Sequence, residues 1–288
     1  MKNSMLLRVF CRYRTKVRNC ALISMLPLLA FFTPVICIAQ ANSRNETAVA
    51  YGNNKSAGHY ANIHGIQLYY ETYGSGMPLL MLHGNGGAID AFSAQIPFFE
   101  KYYRVIAVDS RLQGKSGGAD DTLSYDMMAD DFCALLDFLH IDSAYVLGWS
   151  DGGINALLMA LKCPAMVKAI AVSGANVVPD TTAFDASIIN DMIATVNRKD
   201  ITRVERTLNN MMINQPNIAY RELGKITCPA LVMAGDHDLI RPEHTLKIYQ
   251  SLPHAQLCIF PDSEHGVCQQ HPELFNETVY TFFQQCDK

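Results

Sequence analysis

A doubly wound α/β sheet, mostly parallel and of about eight strands, is the fold class this sequence predicts. Short β-rich runs recur along the chain, among them "IQLYYETYG", "PLLMLHG", "YRVIAVDS", "AYVLGWS", "VKAIAVSGA", "PALVMAGD" and "AQLCIFPDS". Amphipathic stretches such as "MMADDFCALLDFLH" and "GINALLMALK" separate several of them. The middle runs are continuously apolar, as strands buried on both faces of a parallel sheet are. Strand–helix–strand repetition then winds helices onto both faces. At 288 residues and 49% hydrophobic, the chain suits one large α/β domain with a substantial core.

The first 41 residues differ in kind. Lys2, Arg8, Arg12, Arg14, Lys16 and Arg18 precede the apolar run "ALISMLPLLAFFTPVICIA", and Ala39-Gln40-Ala41 supplies small residues around a cleavage point. Residues 1–41 therefore read as a secretory signal peptide, with an N-terminal membrane anchor as the alternative. Either reading places the body outside the cytoplasm, periplasmic or secreted. Removing those six basic residues leaves 17 of the 23 against 27 acidic ones, a net of −10. Such an acidic body excludes nucleic acid and anionic membrane as expected partners. The polar, aperiodic residues 42–58 read as a disordered lead-in, and residues 59–288 as the folded domain.

Within that domain, helical periodicity between the strands near Gly174 and Pro229, notably "FDASIINDMIATVNRKDITRVERTLNNMMI", marks an inserted helical lid over about 175–226. Its alternative is an ordinary pair of crossover helices. Met192, Met211 and Met212 offer an adaptable apolar wall there, or core packing. The body cysteines show no metal-ligand spacing and read as small buried hydrophobes, with a Cys258–Cys268 bridge as the one pairing considered. No metal and no cofactor is expected, and the oligomeric state is not legible.

Two stretches compete for a nucleophile: "GWSDGG" at 148–153 and "GKSGG" at 114–118. A serine hydroxyl needs a neighbouring base and a strained strand-to-helix turn with glycines on either side. "GWSDGG" lies between the strand "AYVLGW" and the helix "INALLMALK", whose N-terminus also offers backbone N–H groups to an oxyanion. "GKSGG" is polar on both sides and lacks the first glycine of a phosphate-binding loop. Ser150 is the candidate nucleophile, and Ser116 belongs to a loop.

Taken in order, "HGNGG" (83–87), "DSRLQGKS" (109–116), "GWSDGG", "AGDHD" (234–238) and "SEHG" (263–266) resemble the α/β-hydrolase fold superfamily over roughly residues 60–285. That resemblance implies a triad in the chain order serine, acid, histidine. His265 is the one histidine in a turn after the final strand, so it takes the part of base. Asp238, three residues after Gly235, takes the orienting acid's part, leaving Asp236 as a turn residue. Backbone N–H groups of Asn85 and Asp151 form the expected oxyanion hole, and His83 braces that loop. One departure stands out: relatives often carry glycine where this chain has Leu112.

An acid beside the nucleophile needs a reason, because like charges 4 Å apart repel by ~4 kcal/mol at an effective dielectric near 20. Asp151 either turns along the helix N-terminus or meets a cation on the substrate. "GWSDGGINALLMA" resembles the valacyclovirase (biphenyl hydrolase-like) type of serine hydrolase, and the resemblance implies that Asp151 reads a substrate α-amino group. Trp149 is a second candidate substrate contact. The resulting expectation is an exported serine hydrolase that cleaves a small carboxyl ester, α-amino acid esters included, through an acyl-enzyme. Alternatives of the same fold are a C–C bond hydrolase, a haloperoxidase-like esterase, and a non-catalytic ligand-binding protein.

Overall fold

A computed structural model describes residues 49–119 and 122–287. The leader expected over 1–41 lies outside the described residues, as does the first part of the 42–58 segment. Eight strands form one sheet in the order β1-β2-β4-β3-β5-β6-β7-β8. They are β1 (Gly58–Ile63), β2 (Ile66–Tyr73), β3 (Pro78–Leu82), β4 (Arg104–Val108), β5 (Ala144–Trp149), β6 (Val167–Ser173), β7 (Ala230–Gly235) and β8 (Ala255–Phe260). β1 pairs antiparallel with β2 and β2 with β4, while every other pairing is parallel.

The helices in chain order are α1 (Ile96–Phe99), α2 (Tyr125–Phe138), α3 (Asp151–Lys162), α4 (Ala186–Val196), α5 (Arg203–Asn214), α6 (Tyr220–Leu223), α7 (Pro242–Ser251), α8 (Val267–Gln270) and α9 (Pro272–Cys286). Alternate strand residues feed two apolar layers, as the period of a strand requires. Leu80, Leu82, Ile106, Val108 and Val146 join Met128, Phe132 and Leu135 of α2 and Leu157 of α3 on one face. Leu79, Met81, Val105, Ala107 and Leu147 join Phe275, Val279 and Phe283 of α9 on the other. Burying a large one of these side chains contributes ~1.5–3 kcal/mol, which explains why β3, β5 and β7 carry no charged residue.

Three local features differ from the sequence expectation. The segment 49–58 is not a disordered lead-in. Glu71, fully buried in β2, accepts the backbone N–H groups of Gly52 at 2.8 Å and Asn54 at 2.9 Å, and the hydroxyls of Tyr69 and Tyr73 at 2.7 Å each. A polar segment without period is thus held by a buried acceptor outside it. Next, β1 extends the sheet through a two-residue hairpin turn, with φ of +46° at His64 and +78° at Gly65, the left-handed pair that matches strand twist. Finally, α2 starts two residues before the expected Met127, because Ser124 accepts the Met127 N–H at 3.1 Å as N-cap.

The cysteine expectation also needs correction. Cys258 and Cys268 are free thiols that pack in the α9-side apolar layer. A disulfide instead joins Cys133 of α2 to Cys163 after α3, with the Cα atoms 6.5 Å apart. Two helices packed side by side on the sheet bring together cysteines that are 30 residues apart in the chain.

Between β6 and β7 the chain forms α4, α5 and α6. α4 has no fully buried residue. Its Ile188, Ile189 and Met192 pack on a small cluster of Ala183, Phe184 and Ile240, beside the loop that carries Asp238. Met211 is buried in the main core. α5 begins with a capping box between Thr202 and Glu205. Among the described residues no helix is long and apolar enough to cross a membrane.

Candidate active site

Parallel strands deliver their C-terminal ends to one edge of the sheet, where open α/β sheets place their ligands. The loops after β3, β5, β7 and β8 carry Asn85, Ser150, Asp238 and His265. Ser150 sits between β5 and α3 with φ +56° and ψ −120°, a strained conformation for a non-glycine residue that costs ~1–3 kcal/mol. Packing enforces it. The Ser150 N–H donates to the Ser173 carbonyl at 2.8 Å. α3 starts so close to β3 that a methyl on Gly152 would run into the Leu82 carbonyl.

The structure brings the three expected side chains together. His265 Nε2 lies 2.9 Å from Ser150 Oγ, and His265 Nδ1 lies 2.7 Å from Asp238 Oδ1. Both partners are shielded from water: the side chain of Asp238 is 0% exposed and that of His265 8%. Asp238 Oδ1 also accepts the Ile240 N–H at 2.9 Å, which fixes the carboxylate plane. Asp236 is on the surface and accepts the Ser263 N–H at 2.9 Å, tying the β7 turn to the loop that carries His265. That bond holds its carboxyl below the usual range.

Trp149, a candidate substrate contact, donates its indole N–H to the His265 carbonyl at 2.8 Å. It braces the base. Ser116 falls where the sequence reading set it. Ser116 donates to the Asp109 carbonyl at 2.6 Å and accepts the Tyr69 N–H at 2.8 Å, well inside a loop. His271 is half-buried just before α9, and its Nε2 lies 3.3 Å from the Asp262 carbonyl. Leu112, where glycine was noted in relatives, keeps a left-handed backbone with φ +64°. The adjacent Arg111 forms a buried two-point ion pair with Asp131, both bonds 2.7 Å.

The oxyanion loop packs directly on the nucleophile. A methyl on Gly84 would stand 3.0 Å from Ser150 Cβ and 3.2 Å from the Trp149 ring. His83 Nδ1 donates to the Gly84 carbonyl at 2.7 Å, and its Nε2 accepts the Ser110 N–H at 3.0 Å. Burial pushes this imidazole down to about 4, so it stays neutral and holds that tautomer. Gln113 accepts the Gly86 N–H at 2.6 Å. Among the described residues no acceptor takes the backbone N–H of Asn85 or of Asp151.

Asp151 is 3% exposed. Oδ1 accepts the Tyr125 hydroxyl at 2.8 Å and Oδ2 accepts from Asn85 Nδ2 at 2.9 Å. Burial pushes its carboxyl up to about 6, against the lowering effect of those two bonds. Tyr125 was not singled out from the sequence. Its only local signal is the Ser124 cap that makes it the first residue of α2.

Fold and site define an α/β hydrolase, and comparison with known proteins agrees. The α/β-hydrolase fold family matches residues 77–197, a span that includes Asn85, Ser150 and Asp151, and the chain has that fold. The human serine hydrolase BPHL is 27% identical over 281 residues, covering 89% of this chain and 95% of the relative. A 2-hydroxy-6-oxononadienedioate/2-hydroxy-6-oxononatrienedioate hydrolase of Comamonas testosteroni is 26% identical over 265 residues, covering 75% and 91%. Among solved structures, a hydrolase from Pseudomonas aeruginosa PA01 superposes with a TM-score of 0.71 at 19% identity, covering 80% of this chain and 99% of that one.

Proposed function

We propose that this chain is an exported serine hydrolase acting on small carboxyl esters. The observation that carries the reading is the unbroken path Ser150 Oγ–His265 Nε2, His265 Nδ1–Asp238 Oδ1, at 2.9 and 2.7 Å. Ser150 Oγ attacks the acyl carbon while His265 Nε2 takes its proton. Asp238 keeps Nδ1 protonated and stabilises the imidazolium. The tetrahedral oxyanion is met by the N–H groups of Asn85 and Asp151, one such donor being worth ~10²–10³ in kcat. Collapse expels the alcohol, which His265 protonates. Water, deprotonated by His265, then attacks the acyl-enzyme and releases the acid.

The test is labelling by a fluorophosphonate probe together with turnover of p-nitrophenyl esters graded in acyl length. Both signals are expected in the native chain and neither in Ser150→Ala. Labelling that survives in Ser150→Ala would reject the assignment, and absence of labelling in the native chain would favour a ligand-binding protein on this scaffold.

α-Amino acid esters are the substrate subclass we propose within that reading. Asp151 supports it: a carboxylate directly after the nucleophile, bonded among the described residues to neutral donors and to no lysine or arginine. Amino acid esters and their des-amino counterparts are to be compared before and after Asp151→Asn. The amino ester is expected to lose more than its des-amino counterpart, and equal loss on both removes the amine from the proposal. Export is supported by the basic-then-apolar leader and by the Cys133–Cys163 disulfide, which suits an oxidising compartment. Recovery of the chain from a periplasmic or medium fraction with its N-terminus after Ala41 is the expected result.

A further inference from the structure

The oxyanion loop is pinned on both sides of Asn85, but not at Asn85 itself by its backbone. The Gly84 carbonyl accepts from His83 Nδ1 and from the Gly87 N–H at 3.1 Å. Because the peptide unit is planar and trans, fixing that carbonyl fixes the opposite direction of the Asn85 N–H. Gln113 does the same for the following peptide through the Gly86 N–H. These bonds set the orientation of the loop's peptides. They do not set its distance from the start of α3, which carries the second donor.

The one hydrogen bond that ties residue 85 to residue 151 is between their side chains, Nδ2 to Oδ2 at 2.9 Å. The other carboxylate oxygen is seated on the hydroxyl of Tyr125, a fully buried residue of α2, at 2.8 Å. Both neighbours present donors, so a carboxylate satisfies both, whereas an amide offers a single acceptor oxygen. We propose that the Asp151 side chain, anchored by Tyr125, is a positioning group that grips Asn85 and fixes the spacing of the two backbone donors that meet the oxyanion. The inference rests on the hydrolase reading. It assigns the acid beside the nucleophile a task on every substrate, charged or neutral.

The test uses a neutral substrate, p-nitrophenyl butyrate, so that amine recognition plays no part. Asn85→Asp sets two carboxylates against each other and is expected to lower kcat by ~100-fold, the scale of a lost oxyanion donor, with KM within about threefold. The exchanged pair Asn85→Asp with Asp151→Asn restores one donor and one acceptor and is expected to regain at least about tenfold. A purely structural contact would shift the melting temperature without this kcat rescue at constant KM. Retention of native kcat by Asn85→Asp overturns the proposal, as does an exchanged pair no better than the single variant. If Asn85→Asp does not fold, Asn85→Ala takes its place, with a ~10-fold fall in kcat expected and an unchanged kcat fatal. A native chain that neither labels nor turns over defeats the hydrolase reading, and the grip is then judged by NMR. The Asn85 side-chain amide protons should exchange with solvent more slowly than those of exposed asparagines, and equal rates overturn the grip.

Discussion

Asp238 shows how much a single atom carries at the residue scale. Its Oδ1 holds both the His265 ring and the Ile240 N–H, while Oδ2 is buried without a partner among the described residues. Replacing Asp238 by Ala removes both that acceptor and the charge that stabilises the imidazolium, so the tautomer that serves Ser150 is no longer held. A kcat loss of about 10⁴-fold with nearly unchanged KM is expected from steady-state kinetics on a neutral ester. Asp151 makes a different prediction, about stability. Its carboxyl is raised to about 6 from 3.8 by burial. The folded chain therefore keeps this proton at pH values where the unfolded chain has lost it. Folding carries a penalty of about 3 kcal/mol above pH 6, which fades as pH falls from 6 to 3.8. The melting temperature of Asp151→Asn minus that of the native chain should accordingly be more positive at pH 7.5 than at pH 4.5. An equal difference at both pH values would contradict the raised carboxyl. His83 and His244, each pushed down to about 4 by burial, act oppositely in the native chain. The unfolded state takes up their protons first, and stability is lost from pH 6.5 to 4.

Among the elements, α2 and α3 do most to present the nucleophile. The Cys133–Cys163 bridge staples the middle of α2 to the end of α3, the helix that Ser150 opens. Closing a loop of 30 residues restricts the unfolded chain by about 3–4 kcal/mol. For a domain of this size that corresponds to roughly 10 °C. Cys133→Ser, or reduction in the native chain, should lower the melting temperature by about that amount in differential scanning calorimetry, with esterase kinetics at 25 °C nearly unchanged. A melting temperature insensitive to reductant would show that the staple adds nothing. β8 contrasts with these buried elements. It is an edge strand with Ile259 exposed, and its place is secured by the β7 ladder on one side and α9 on one face.

Across the whole molecule, sequence patterning was informative where burial alone dictates composition. β3, β5 and β7 are continuous apolar runs because both faces are covered, and they were legible for that reason. β1 was not, since only Ala61 and Ile63 of its six residues are buried and its partner is found through a turn at His64–Gly65. The meeting of Ser150, Asp238 and His265 could be read because each follows a strand in a marked turn. Tyr125 could not, because its contact with Asp151 spans 26 residues between two helices and leaves no periodic trace. The disulfide was missed for the same reason. Trp149, read as a substrate contact, has a wider consequence as a brace. Its indole N–H bonds the His265 backbone, and the two rings lie 5.8 Å apart. The attacking group and its proton acceptor thus ride on one rigid mount, and heat should abolish turnover only when the entire domain melts. In Trp149→Phe the mount is cut: catalysis should fade several degrees below the circular-dichroism transition, whereas the native chain should show the two losses at one temperature.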